Sequence, residues 1–307
     1  MNFQRVRQFF VEPSAADVAL EFSSVALIGA RVESARGRAE LRAIVSEPLA
    51  EGAFVPALED PGFVRKEEIR DATKRVLARI GAAPGVRTAL VVPDIVARFR
   101  LFAQDEVKAE PRKREAIVAF RMQKLLPFPP ADVRVISAWP KSSRDPVLAM
   151  GMSTAVLEAY EQVARAFGLD VGSVETSSMA LLRGLSAEGD ALLVRHDRTW
   201  LTLTLTRDGW PLSIRSFDGA VARSIDEVRR EMASTSVFWK DRLGGKRLAG
   251  AWVHCSDAWF DGLSGAVSQV FASAVQRVQS PPRLMVSGVP QSVERSGAPA
   301  LSLLVRI

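Results

Sequence analysis

The chain has 307 residues, 48% hydrophobic and 25% charged, with a formal net charge of +6. That length supports one large or two medium domains with real cores. Its single cysteine, Cys255, excludes an intramolecular disulfide framework and a zinc finger, and no apolar run approaches the roughly 20 residues of a membrane span.

The N-terminus, MNFQRVRQFF, carries Arg5 and Arg7 but no apolar stretch after them, so it does not read as a signal peptide, and a cytoplasmic location is expected. The positive charge suits an acidic partner, an anionic membrane surface or nucleic acid. No Lys/Arg run is interleaved with aromatics as single-strand binding requires, so an Arg-rich solvated surface is the plainer reading and no specific nucleic acid is expected.

Residues 17–20 and 25–28, broken by Phe22-Ser23-Ser24, predict a hairpin that 31–35 ends. After the turn Ala35-Arg36-Gly37, 39–48 predicts a third strand. Lys66–Ile80 has helical spacing, with Ile69, Val76, Leu77 and Ile80 as its stripe and Gly81 as its stop. Residues 87–93 have a continuous apolar centre, the mark of a strand buried on both faces, and 96–102 continue as a strand. Pro111 opens a helix over 112–125, with Ile117, Phe120, Leu125 and Leu126 as buried candidates, and Pro127-Phe128-Pro129-Pro130 breaks it. Strands over 133–139 and 146–152, a helix over 154–167, a strand over 171–175 and a helix over 177–185 follow.

In the second half, 192–194 is a short apolar run. Leu201, Leu203 and Leu205 then alternate with Thr202, Thr204 and Thr206, as a half-buried strand requires. Arg207-Asp208-Gly209-Trp210 turns the chain into a returning strand over 211–217. A helix over 224–243 starts with capping-box spacing between Ser224 and Glu227. Residues 249–253 predict a strand, 259–278 a helix and 283–287 a last strand; 298–307 suits helix or strand, and 287–297 reads as a mobile connector. Two strand-rich α/β halves around an inserted unit predict two like domains with a cleft between them.

Several stretches, taken together in their order, resemble the PilM family, the actin-like cytoplasmic proteins of type IV pilus assembly. They are VALEFSSVALIGARVE (18–33), TALVVPDIVARFR (88–100), AIVAFRMQKLLPFPPADV (116–133), YEQVARAFGLDVGSVETSSMALLRGL (160–185) and the hairpin over 191–219 with its LLV and TRDG-PL elements. The likeness runs from about residue 16 to the end, and the cytoplasmic domain of the type II secretion protein GspL is the close alternative. It implies an α/β, actin-like (ribonuclease-H-like) two-domain fold. Domain 1A would hold 1–86 and 169–190, an inserted subdomain 1C 87–168, domain 2 191–290, and a C-terminal segment, 291–307, would pack back on 1A. Only one long helix fits between Gly219 and Val253, where the family has several, so subdomain 2B is expected to be reduced.

Actin-like sites hold Mg·ATP with two Asp- and Gly-bearing bends and a Gly-rich turn. Against the family pattern, Glu21-Phe22-Ser23-Ser24 stands in place of Asp-x-Gly-Ser, although Ser23 and Ser24 can still donate to a phosphate. Val194-Arg195-His196-Asp197 stands for Val-Asp-x-Gly, which puts Arg195 at the metal-facing position and a repulsive carboxylate, Asp197, where a glycine belongs. Residues 252–257, WVHCSD, hold none of the expected glycines. Glu21, Ser23, Ser24, Arg195, Asp197, His254 and Asp257 are therefore the positions of a degenerate nucleotide site. No catalytic residue, cofactor or metal is expected; an atypical ATP site, with Arg195 as phosphate partner, is the alternative. His196 and His254, beside Asp197, Cys255 and Asp257, would line the same cleft, and ordinary cleft histidines are preferred to a metal site because no pair has ligand spacing. Cys255 reads as a small buried hydrophobe.

The resemblance also implies a partner, the short cytoplasmic tail of a PilN-like single-span inner-membrane protein, held between 1A and 1C. Here that points to Leu126 and Phe128, a proline-flanked apolar ridge; Phe128 equally suits a plug in the core of 1C. Arg121, Lys124 and Arg134 would favour an acidic segment or are solvated surface. The expectation is a non-catalytic adaptor, peripheral at the inner membrane and able to form a homo-oligomer or ring. An actin-like ATPase or small-molecule kinase, a GspL-like component, and a nucleic-acid or anionic-surface binder suggested by charge alone are the other readings.

Overall fold

A computed structural model describes residues 16–35, 38–108, 110–185 and 187–305. The N-terminal MNFQRVRQFF lies outside the described residues.

β1 (Val18–Phe22), β2 (Ala26–Ala35) and β3 (Arg38–Pro48) form an antiparallel meander. α1 (Lys66–Ile80) buries Ile69, Ala72, Val76, Leu77 and Ile80, and stops at Gly81, which adopts φ 66°. β4 (Arg87–Val92) runs parallel to β1. The chain then leaves this sheet. β5 (Ala97–Phe102), α2 (Arg114–Gln123), β6 (Val133–Ala138) and β7 (Val147–Ser153) make a small separate unit, an antiparallel sheet ordered β5-β7-β6 with α2 packed on it. α3 (Thr154–Arg165) and β8 (Asp170–Thr176) return to the first sheet, where β8 pairs with β4.

The inserted unit therefore draws on residues 97–153 rather than 87–168. β4 pairs on both sides within the first sheet, and α3 buries Val156, Tyr160 and Ala164 in that sheet's core. The expected stripe of α2 holds in part: Leu126 is buried and Ile117 packs against the small core. Val118 and Met122 are buried, whereas Phe120 and Leu125 are 57% and 44% exposed and the helix ends at Gln123. Gly151 of β7 sets that phase: a Cβ there would meet Leu126 at 2.6 Å and Met122 at 3.3 Å, so those two side chains fill the space that its missing side chain leaves.

α4 (Ser177–Gly184) leads into the second domain. β9 (Asp190–His196), β10 (Trp200–Arg207) and β11 (Trp210–Asp218) form the expected hairpin and its leading strand. Between β11 and β12 (Gly250–His254) stand only the short α5 (Gly219–Ala222) and the long α6 (Ile225–Leu243). Ser224 caps α6, its Oγ accepting from the Glu227 amide at 3.4 Å. α7 (Asp257–Phe271) is shorter than the 259–278 expected. Ala272 takes the left-handed conformation, φ 52°, and β13 (Gln276–Arg277) follows, pairing with β12. The second sheet is ordered β11-β10-β9-β12-β13.

The expected last strand shrinks to β14 (Leu284–Met285), which completes the first sheet as β14-β3-β2-β1-β4-β8. The connector 287–297 contains a helix, α8 (Gln291–Ser296), and the ambiguous C-terminal stretch forms α9 (Ala298–Leu303), packed against α4, β1 and β4.

Candidate functional site

The two degenerate bends meet. The bend after β1 and the bend after β9 face each other, and the Ser24 amide donates to Asp197 Oδ2 at 3.3 Å. Glu21 shares the α9-facing side of β1 with Ala19 and is wholly buried, taking a hydrogen bond from the Ala300 backbone. Arg195 reaches it from β9, with Nη2 3.3 Å from Glu21 Oε1 and 3.8 Å from Asp197 Oδ2. Its Nε donates to Ser177 Oγ and its Nη1 to the His196 carbonyl, both at 2.7 Å. Its guanidinium carbon lies 4.7 Å from the centroid of the Trp200 ring. A buried guanidinium thus ties β1, α4 and β9 together.

Asp94, just after β4, lies in the same polar interior. It accepts from the Ser178 amide at 2.8 Å and the Ser178 hydroxyl at 2.5 Å. Glu175 at the end of β8 pairs with Arg183 of α4 at 2.8 Å, both largely out of solvent. Sequence reading passed over Asp94, Glu175, Ser177 and Ser178. The one signal present was Asp94, a carboxylate set directly after a fully apolar strand.

Burial governs the electrostatics. It pushes the Glu21 carboxyl up to about 7 against the opposing pull of Arg195, and Glu175 up to about 7 against Arg183. Asp94 is raised for the same reason, its Ser178 hydrogen bonds opposing.

The histidines do not converge. His196 Nε2 bonds the Ala222 carbonyl at 2.8 Å and its ring lies 4.3 Å from that of Trp259, centroid to centroid. His254 Nε2 bonds the Arg295 carbonyl at 2.9 Å. Burial holds both rings below the ordinary imidazole range, His254 well below, with the Arg195 charge adding to it. Asp257 stands apart from the buried cluster. Its side chain is 63% exposed at the start of α7, and it pairs with Arg277 at 2.6 Å and Arg295 at 3.6 Å. Burial raises the Cys255 thiol to about 11. Among the described residues no group of three His, Cys, Asp or Glu is placed to hold a metal ion.

A magnesium nucleotide does not fit these residues. The first-bend amide that would meet a phosphate oxygen already donates to Asp197, so the protein's own carboxylate stands in the anion's place. The position of a metal-binding carboxylate holds a cation engaged on several sides. The third segment begins a helix at Asp257 and offers no glycine for close backbone approach. What the arrangement does is join the two domains through buried, compensated charge.

The four residues expected at a partner surface divide. Arg121 and Lys124 are exposed and line a groove of about 490 Å³ with Arg100, Phe102, Ile117 and Phe120. Leu126 is buried beneath Gly151, and Phe128 is half-buried outside that groove. A second, narrow apolar crevice runs between the inserted sheet and the end of β8. Phe99, Ile136, Met150 and Met179 line it, with Glu175 at its side. Sequence spacing held no sign of it, because its walls come from segments brought together only by the fold.

No family model and no curated protein sequence matches the chain. Solved structures do. A chain of a PilM–PilN type IV pilus biogenesis complex is similar at 17% identity over 95% of this chain and 98% of that one, with a TM-score of 0.79. A Bacteroides thetaiotaomicron protein with an actin-like ATPase fold and unknown function is similar at 8% identity over 90% and 93%, TM-score 0.52. The cytoplasmic domain of EpsL, an inner-membrane component of the type II secretion system of Vibrio cholerae, is similar at 10% identity over 93% and 94%, TM-score 0.50. The chain has an actin-like fold, with the α/β two-domain character expected of it.

Proposed function

We propose that this chain is a non-catalytic adaptor of a type IV pilus-like inner-membrane platform, holding the cytoplasmic tail of a PilN-like single-span protein. The observation that carries the reading is the Glu21–Arg195–Asp197 cluster seated where a nucleotide phosphate would lie, within a fold otherwise kept over its whole length. Whole-length similarity to a chain of a PilM–PilN complex supports the partner class. Among the described residues no helix is long and apolar enough to cross a membrane, which agrees with attachment through a membrane-anchored partner.

The tail docks along the rim of the crevice between the inserted sheet and β8. β6 is an edge strand of its sheet, and Ile136 on it is 46% exposed beside the crevice. An extended peptide pairs with such an edge and lays alternate side chains against its apolar rim. Fluorescence anisotropy with a labelled peptide of the N-terminal tail of a neighbouring single-span protein tests this. Saturable binding that Ile136→Asp weakens at least ~10-fold is expected; no binding of any such tail removes the adaptor reading. A GspL-like component of a secretion platform is the second reading, favoured by the EpsL likeness. Which system's tail binds distinguishes the two.

A further inference from the structure

The positive charge of this protein is concentrated in one small unit. Residues 97–153 carry 11 Lys/Arg against six Asp/Glu, so five of the six net charges lie there and the rest of the chain is nearly neutral. Five of these cations also lack carboxylate partners. Arg98, Arg100, Arg112, Arg121 and Lys124 are exposed and form no ion pair among the described residues. On the first domain's surface, by contrast, Arg42 pairs with Glu33, and Arg75 and Arg79 pair with Glu47.

Four of the unpaired cations, Arg98, Arg100, Arg121 and Lys124, share a side of the unit. Phe102 packs into the small core beneath α2, and Arg98 and Arg100 alternate onto that same face of β5. Arg121 and Lys124 project from α2 itself. Two apolar tips stand among them, Phe120 and Leu125, both more than two-fifths exposed, with Lys124 Nζ 4.5 Å from the centroid of the Phe120 ring.

We propose that this α2 face docks directly on an anionic bilayer, with Phe120 and Leu125 entering the headgroup boundary and Arg98, Arg100, Arg121 and Lys124 meeting lipid phosphates. Exposed apolar tips ringed by Lys and Arg are what an interfacial surface needs. The charge complementarity is with an extended anionic plane: Arg100, Arg121 and Lys124 rim an open groove, Arg98 extends the positive strip along β5 beyond it, and the surplus belongs to the whole unit. The contact is independent of the tail crevice, which lies on the other side of the inserted sheet, where Ile136 and Phe99 face β8.

The test is co-sedimentation of the full chain with vesicles of pure phosphatidylcholine and of an equimolar mixture with phosphatidylglycerol. Binding to the anionic vesicles alone, lost as salt is raised, is expected. The double variant Arg121→Glu/Lys124→Glu should weaken it at least ~10-fold, and Phe120→Ala several-fold, with melting temperatures unchanged. Tail-peptide binding should survive both variants, so failure here is separable from failure of the adaptor reading. No sedimentation with anionic vesicles at low salt, or sedimentation indifferent to the double variant, overturns the proposal. So does loss of tail-peptide binding by the double variant without any vesicle binding, which would make the face an acidic-peptide site.

Discussion

Arg195 and Glu21, 174 residues apart in sequence, lie 3.3 Å apart with both side chains out of solvent. The pair joins β9 of the second domain to β1 of the first. Breaking a buried pair from one side leaves the other charge uncompensated, which typically costs about 3–5 kcal/mol. Arg195→Met should lose that much in urea denaturation at pH 8, where Glu21 is ionised. A loss below ~1 kcal/mol would mean that the guanidinium is not a structural anchor.

The same cluster makes stability depend on pH. The Glu21 carboxyl is raised from 4.5 to about 7 by burial, so the folded state holds its proton more tightly than the unfolded chain. Its contribution is complete below about 4.5 and disappears as pH rises through about 7, a change on the order of 3 kcal/mol. Glu21→Gln should flatten the fall in stability between pH 5 and 8 relative to the parent chain. Parallel slopes for the two proteins would contradict the raised carboxyl.

With Asp197 on the Ser24 amide, the protein's own carboxylate stands where a phosphate would have to lie. Millimolar Mg·ATP should leave the melting temperature of the chain unchanged. A clear upward shift, with the concentration dependence of ligand linkage, would restore the ATP-binding alternative.

Gly29 of β2 faces α1 so closely that a Cβ would lie 2.2 Å from Val76 Cγ1. Its role is steric. Gly29→Ala should destabilise by about 1–3 kcal/mol through overpacking. Pairing it with Val76→Ala should recover part of that loss in a double-mutant cycle; simple additivity would argue against the contact as the cause.

Ser224 is the cap of α6, and its hydroxyl is the acceptor for the Glu227 amide. Ser224→Ala should cost about 1 kcal/mol in thermal or chemical denaturation. Ser224→Asp should cost much less, since aspartate caps as well.

Much of the fold was readable in order along the chain, and the failures have definite causes. β10 was recognised from its Leu/Thr alternation, and in the structure both of its faces are buried, so the threonines line an interior that the alternation alone described as solvent. The apolar pattern of α7 continues past Phe271 and predicts a longer helix than forms, because the backbone turns at Ala272. Phe120 and Leu125 of the expected α2 stripe face outward because the space for Met122 and Leu126 is opened by Gly151, in a strand distant in sequence. At the site, Arg195 and Asp197 were identified as departures from a phosphate-binding bend. Their partners were not, and neither was the role of Asp94 or Ser177.

By itself the sequence determined what depends on near neighbours: the strand and helix periods, the cap at Ser224, the absence of glycine from all three site segments, and the crowding of unbalanced cations into residues 97–153. These properties need only a few consecutive residues and their covalent geometry. Tertiary structure alone decided that Asp197 takes the Ser24 amide, that Arg195 neutralises Glu21, that β4 belongs to the first sheet, and that Phe120 and Leu125 face outward. Each of these rests on which distant surfaces are brought within a few ångströms, and no local pattern of side chains carries that information.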